Sequence, residues 1–369
     1  MASASTVDWS VFVLVVGLRL VVPLLIPRFP LPAILASLVI DGVDKSIFQA
    51  FTDLPLDNYQ SYDKALDIYY LTIAYLAVLR NWRNAFAVGA AAFLLYYRLV
   101  GVLAFELTGA RWLLMVFPNT FEYFVIAIEA VRTRWDAGRL RPATFVWTAG
   151  LIWVVVKLPQ EWWIHVAQLD FTDEFGALVD RWPWVWGVIA AVAVVLVVVG
   201  RRLSRRLPPA AWPFTLDADV VARHVGWLPR GPVAAAPSGI AHVVEKVALA
   251  GLVTMIMFES YPRVEGRLSV VAVVVTATVL LHAGLALWRR RTRPLAVQVA
   301  VNTAISLVAM LVFAAFATGQ RGQVAVGDVL LFAYLVALIV TLYDRYSARR
   351  EAIGEPDDET EPAVRAAGA

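Results

Sequence analysis

The chain has 369 residues, of which 60% are hydrophobic and 17% charged, with a mean hydropathy of +0.69 and a pI near 9.1. Soluble domains carry about 45–50% apolar and about 25% charged residues, so a soluble globular domain, a disordered chain and a DNA-binding domain are excluded. Cysteine is absent, which removes disulfides, thiolate metal sites and a cysteine nucleophile, and the four scattered histidines (His165, His224, His242, His282) leave no His-rich zinc or copper site.

The apolar residues fall in blocks long enough to cross about 30 Å as helix. The expected fold is therefore all-α: a polytopic transmembrane helical bundle of about 11 spans. They lie near 9–27, 31–52, 63–82, 85–108, 111–132, 143–166, 184–200, 239–260, 267–288, 296–318 and 325–344. The loops alternate in charge. Arg28, Arg80 and Arg83, Arg132 to Arg141, Arg201 to Arg206, Arg289 to Arg293 and Arg345 to Arg350 mark one side. Asp8, Asp53, Asp57, Asp170, Asp173, Glu174 and Asp180 mark the other. The positive-inside rule puts the N-terminus outside and the C-terminus in the cytoplasm. It also explains the basic pI without a nucleic-acid partner. Tryptophans at 9, 112, 162, 163, 182, 184 and 186 fall at the outer interface, and Trp82, Trp135 and Trp288 at the inner one.

Three regions follow. Residues 1–182 form a six-helix bundle, and residues 183–345 form five further helices with a Pro-rich cytoplasmic loop at 201–238. Residues 346–369 form an acidic tail expected to be disordered. The first span has no basic N-terminal region and no small-residue cleavage site after it, so no cleavable signal peptide is expected.

The first six helices differ from the rest in carrying ionisable residues at membrane depth, where each costs about 2.5–3.5 kcal/mol on insertion scales. Arg19 falls near the midplane of the first span and Asp41 near that of the second, with Asp44 and Lys45 further out. Asp63, Lys64 and Asp67 open the third. Arg98 and Glu106 lie in the outer half of the fourth, and Asn119 and Glu122 enter the fifth from outside. Lys157, Glu161 and His165 climb the sixth. Spacings of three and four place Asp41, Asp44 and Lys45 on one face, Asp63, Asp67 and Tyr70 on another, and Lys157, Glu161 and His165 on a third. Two interruptions are expected. Pro118-Asn119 with Glu122 three residues later reads as a fresh capped start, and Pro159 stands inside the sixth span. Broken helices at this depth often line a site. In the last five helices, His242, Glu245, Lys246, His282 and Asn302 are expected to make helix-to-helix hydrogen bonds.

No phosphate-binding glycine loop, HExxH or nucleophile elbow occurs. Asp41-Gly-Val-Asp44 and Asp63-Lys-Ala-Leu-Asp67 partly resemble the aspartate-rich Mg²⁺–diphosphate motifs of membrane prenyltransferases. They lack that family's Asn-Asp-x-x-Asp-x-x-x-Asp pattern and fall on the outer side. The strings LVIDGVDKSIFQAF (38–51), YDKALDIYYLTIAYL (62–76), YYRLVGVLAFELTG (96–109), FPNTFEYF (117–124) and KLPQEWWIHVAQLDFTD (157–173) together resemble an uncharacterised family of bacterial multi-pass integral membrane proteins. The resemblance covers roughly residues 10–175. It implies a place in the bacterial cytoplasmic membrane and transfers no activity.

The leading functional expectation is a membrane-embedded enzyme with an outward-facing charged cavity, acting on a lipid or lipid-linked phosphate. Asp41, Asp44, Asp63 and Asp67 would be acid/base groups or ligands of a divalent cation such as Mg²⁺. Glu122, Glu161 and His165 would transfer protons. Arg98, Lys157, Lys45 and Asn119 would bind the substrate. The alternatives are a proton- or cation-coupled transporter, and a membrane scaffold whose charges only pair helices together.

Overall fold

The computed structural model describes residues 6–52, 59–82, 84–133, 137, 140–163, 178–206, 240–259, 273, 275–282, 284, 294–317 and 326–354. Among these the regular structure is entirely helical. The elements are α1 (Thr6–Val21), a 3₁₀ turn (Val22–Leu25), α2 (Pro30–Phe51), α3 (Tyr59–Asn81), α4 (Ala85–Thr108), α5 (Trp112–Val116) and α6 (Thr120–Arg132). They continue with α7 (Pro142–Leu151), a π-helical turn (Ile152–Lys157), α8 (Leu158–Glu161), α9 (Val185–Arg206), α10 (Ile240–Glu259), α11 (Leu295–Ala317) and α12 (Val326–Gly354). Helix also occupies 275–282.

Among the described residues, five helical stretches are long and apolar enough to cross a membrane: Thr6–Leu25, Ala85–Thr108, Trp112–Arg132, Pro142–Glu161 and Ile240–Met257. Local chemistry sets several limits. Asn84 caps α4 by accepting from the Ala87 N–H at 3.0 Å, and Gly109 ends it with φ of 68°, a left-handed conformation that glycine adopts without a Cβ clash. Prolines at the first positions of α2 and α7 supply the helical φ where no N–H partner is needed.

α3 is the central post. It packs against α1, α2, α4, α6, α10 and α12, and every residue from Ile68 to Leu79 is buried. One hydrophobic core runs from Ile34 on α2 through α3, α4 and α6 to Leu249 on α10 and Leu342 on α12. The outer helices invert the soluble pattern. On α1 the buried residues are Asp8, Val15 and Arg19, while Val7, Val13, Leu14, Leu18 and Val21 are exposed. An apolar face turned outward and a charged stripe turned inward is what a lipid solvent selects, because the charges need protein partners.

Three expectations change at this level. α9 runs to Arg206, six residues into the expected loop, and α12 continues to Gly354, past the expected limit at 344; the remainder of that loop and tail lies outside the described residues. Pro159 does not interrupt the sixth span: the chain widens into a π turn just before it, with the Leu158 N–H bonded to the Trp153 carbonyl. Widening makes room for the proline ring, which would otherwise clash with the preceding turn. Trp82 faces protein rather than the outside of the bundle. It is buried, and its indole N–H donates to Glu129 Oε1 at 2.6 Å.

Arg80 and Arg132 do more than set charge. Arg132 binds Glu129 and also donates to the Asn81 carbonyl at the end of α3, at 3.1 Å. Arg80 donates to the Pro27 carbonyl. Unpaired carbonyls at helix ends are thus satisfied where α3, α6 and the 3₁₀ turn meet. A small cleft lined by Trp82, Asn84, Ile128, Arg132 and Phe145 lies at this end, away from the aspartates.

Candidate functional site

The first group is centred on Arg19. α1 carries this guanidinium into the bundle, and α2 and α3 bring four carboxylates to it. Nη1 donates to Asp63 Oδ1 at 2.6 Å and to Asp44 Oδ2, and Nη2 donates to Asp67 Oδ1 at 2.6 Å and to Asp41 Oδ1. The spacing explains the convergence: Asp41 and Asp44 are three apart on α2, and Asp63 and Asp67 four apart on α3, so each pair forms one face. Arg19 and Asp44 are almost fully enclosed, with side-chain exposures of 5% and 2%. Asp41, Asp63 and Asp67 stay 30–39% accessible. Four carboxylates share one guanidinium.

The second group lies where the fifth span breaks. α5 ends at Val116, and Asn119 caps α6. The break is held by α4. Tyr97 donates to the Val116 carbonyl at 3.0 Å and Arg98 to the Phe117 carbonyl at 2.9 Å, and Gly101 leaves the space that Phe117 fills. The expected capping box forms in an altered way. Asn119 Oδ1 accepts from the Glu122 N–H at 3.5 Å, while Asn119 Nδ2 donates to Glu122 Oε2 at 2.9 Å. The Asn119 N–H goes instead to Glu161 Oε1 of α8, at 3.3 Å. Glu122 Oε1 accepts from the Tyr70 hydroxyl at 2.6 Å. Lys157 is buried, with Nζ 4.0 Å from the centre of the Tyr123 ring, and its charge and that of Arg98 face Glu122.

The structure therefore joins Asp41, Asp44, Asp63 and Asp67 in one group and Asn119, Glu122, Glu161, Arg98 and Lys157 in another. Lys45 touches the first group through its backbone, whose N–H donates to Asp44 Oδ1 at 2.6 Å. A helix turns 100° per residue, so with Asp44 aimed at Arg19 the next side chain points away, and Lys45 is exposed. His165 lies outside the described residues. Lys64 pairs with Glu106 at 3.0 Å, over the Phe105 ring. Arg19 and Tyr70 were both legible, as an arginine inside an apolar run and a tyrosine one turn past Asp67, but nothing in the sequence marked one as the hub and the other as the link.

The last helices make the polar contacts expected of them. Lys246 binds Asp344 at 2.6 Å, His242 meets Ser347 at 3.1 Å, His282 meets Ser306 at 3.0 Å and Asn302 donates to Thr341 at 2.8 Å. Tyr75 of α3 donates to Glu245, tying α10 to the central post.

No protein family, curated protein or solved structure matches the chain.

Proposed function

We propose that the chain is a multi-pass protein of the bacterial cytoplasmic membrane, with about 11 spans, its N-terminus outside and its C-terminus in the cytoplasm. In this reading the Arg19-centred aspartates form an outward-facing cation-dependent site that acts on a lipid or lipid-linked phosphate. The surplus of carboxylates supports it. A device that only pairs helices needs one or two acids per guanidinium, and buried pairs stabilise poorly for what they cost to desolvate.

The donor set fits a hard divalent cation. All donors are oxygens, and one oxygen each from Asp41, Asp44 and Asp63 lies within 4.8 Å of the others. Ligands on opposite sides of Mg²⁺ are about 4.2 Å apart, and of Ca²⁺ about 4.8 Å. Such an ion, when bound, polarises a phosphoryl oxygen and steadies developing charge. Lys157 supplies a buried positive charge for an anionic head group. Arg98 already gives one N–H to the Phe117 carbonyl, so its part is to hold the break that positions Asn119 and Glu122.

A second reading, proton- or cation-coupled transport, draws on a different observation. The hydrogen bonds Tyr70–Glu122–Asn119–Glu161 continue from the aspartate helix across a helix broken at membrane depth.

Proteoliposomes loaded with polyprenyl-phosphate or anionic phospholipids separate these readings by phosphorus NMR. Mg²⁺-dependent conversion that is lost in Asp41→Asn and Asp67→Asn supports the enzyme. Unchanged substrate crossing the bilayer points to transport, and variants that merely unfold point to a scaffold. Orientation is tested separately, because the chain lacks cysteine. An impermeant maleimide should label Thr52→Cys in intact cells and Thr133→Cys only after permeabilisation; the reverse pattern overturns the orientation.

A further inference from the structure

Residues 110–118 are built as a strap with a joint at each end. At one end Gly109 takes φ of 68°, which lets the chain turn sharply out of α4. At the other, Pro118 and Asn119 start α6 afresh. Between them α5 has five residues, too few for a helix to persist without outside support. Its outward side is open: Trp112 is 57% and Val116 37% exposed, and Leu114 is the one α5 residue that is buried.

α4 supplies that support through residues 97–101. Tyr97 donates to the Val116 carbonyl at 3.0 Å, and its ring lies 4.5 Å from that of Phe117. Arg98 donates to the Phe117 carbonyl at 2.9 Å, and Gly101 leaves the room that Phe117 enters. The same Tyr97 ring lies 5.1 Å from Trp153 in the π turn, so the strap and the widened sixth span meet at one side chain. Of these ties the Arg98 bond has an alternative. The guanidinium charge faces Glu122, yet its N–H goes to a neutral carbonyl. A carboxylate would add an attraction between opposite charges that a peptide carbonyl does not supply. Glu122, bonded to Asn119 at the inner joint, is 5% exposed, and Lys157, which faces it, is 4% exposed. No substrate meets either group while the strap lies in this position.

We propose that residues 110–118 are a releasable strap and that Arg98 is its clip. The strap is shut with Arg98 on the Phe117 carbonyl and released when Arg98 turns to Glu122. Release swings α5 about Gly109 and Asn119, draws Asn119 off Glu122 and Glu161, and uncovers Glu122 and Lys157. Only hydrogen bonds and packing contacts change. The use of the opening, to admit an anionic head group to Lys157, rests on the functional reading above; the strap itself does not.

The test is the reaction rate of Leu114→Cys with a water-soluble methanethiosulfonate, on the full chain in nanodiscs without substrate. The chain has no cysteine, so this is its sole thiol, and Leu114 is 5% exposed, so the thiol reacts when the strap lifts. Arg98→Met and Tyr97→Phe should each speed the reaction about tenfold, the effect of losing one hydrogen bond. Ser306→Cys, 0% exposed on α11, should keep its rate in both backgrounds. Glu122→Gln removes the alternative partner and should slow Leu114→Cys about threefold. If Arg98→Met and Tyr97→Phe leave the Leu114→Cys rate unchanged, or speed Ser306→Cys equally, the strap is overturned. If Glu122→Gln speeds the reaction as Arg98→Met does, Glu122 is a support of the shut form and the two-position clip is overturned. Should Leu114→Cys fail to fold, Met115→Cys on the same strap takes its place with the same expectations. No substrate enters the assay, so loss of the Mg²⁺-dependent conversion would overturn the functional reading and not the strap.

Discussion

Neutralising Asp63 and removing Arg19 should have opposite consequences for stability if the four carboxylates are in real excess. The Arg19–Asp63 contact is 2.6 Å, worth about 6 kcal/mol of attraction at an effective dielectric near 20. Asp41 and Asp44 place oxygens within 4.8 Å of an Asp63 oxygen, and each then repels it by about 3.5 kcal/mol or more on the same scale. Two such repulsions match the single attraction. Water reaching Asp63, whose side chain is 37% exposed, scales all of these terms down together. Asp63→Asn should therefore leave stability within about 1 kcal/mol of wild type, in the range of an ordinary surface substitution or slightly better. Arg19→Gln leaves four carboxylates without their shared cation and should cost about 3–5 kcal/mol, the loss seen when one partner of a buried pair is removed. Millimolar Mg²⁺ should return part of that loss. The assay is detergent-induced unfolding at neutral pH followed by tryptophan fluorescence, with and without the ion. If Asp63→Asn costs as much as Arg19→Gln, the carboxylates are balanced structural partners and the surplus-charge argument fails.

Three further substitutions are read by the same titration. Gly101→Ala puts a Cβ into the space that the Cβ and ring of Phe117 fill, and should destabilise by about 1–3 kcal/mol or more although alanine is the better helix former; Phe117→Ala, which keeps the clashing Cβ, should not rescue it, whereas Phe117→Gly should return part of the loss. Lys157→Met removes a charge that faces both Glu122 and Glu161 and should cost about 3–5 kcal/mol, with Glu161→Gln in the same chain recovering part of it. No recovery would show that Lys157 does not serve as their counterion. Trp82→Phe keeps the packing against Phe124 but deletes the N–H donated to Glu129, for about 1.5–3 kcal/mol, with Arg132 left as the partner of that carboxylate.

What could be read along the chain was local. The ends of α4 at 85 and 108 follow from Asn84 and Gly109, and the break before α6 follows from Pro118, Asn119 and Glu122, because caps and prolines act within a few residues. Pro159 shows where local reading stops. A proline in a span predicts a disturbed hydrogen-bond ladder, but whether the chain breaks or widens depends on what surrounds it. Faces were legible only to within a turn: Asp41, Asp44 and Lys45 share one by spacing, yet the rotation of α2 that aims Asp44 at Arg19 sends Lys45 outward. The convergence of two helical faces on a residue of a third depends on how α1, α2 and α3 are rotated, which no spacing along one helix records. α3 makes the same point through its composition. It is too polar to count among the five stretches apolar enough to cross a membrane, and read alone it is the weakest span of the first six. Its place at the centre of six neighbours accounts for that. A helix wrapped in protein can carry aspartates and tyrosines that a lipid-facing helix cannot, so the segment least like a membrane helix is the one that holds both polar groups.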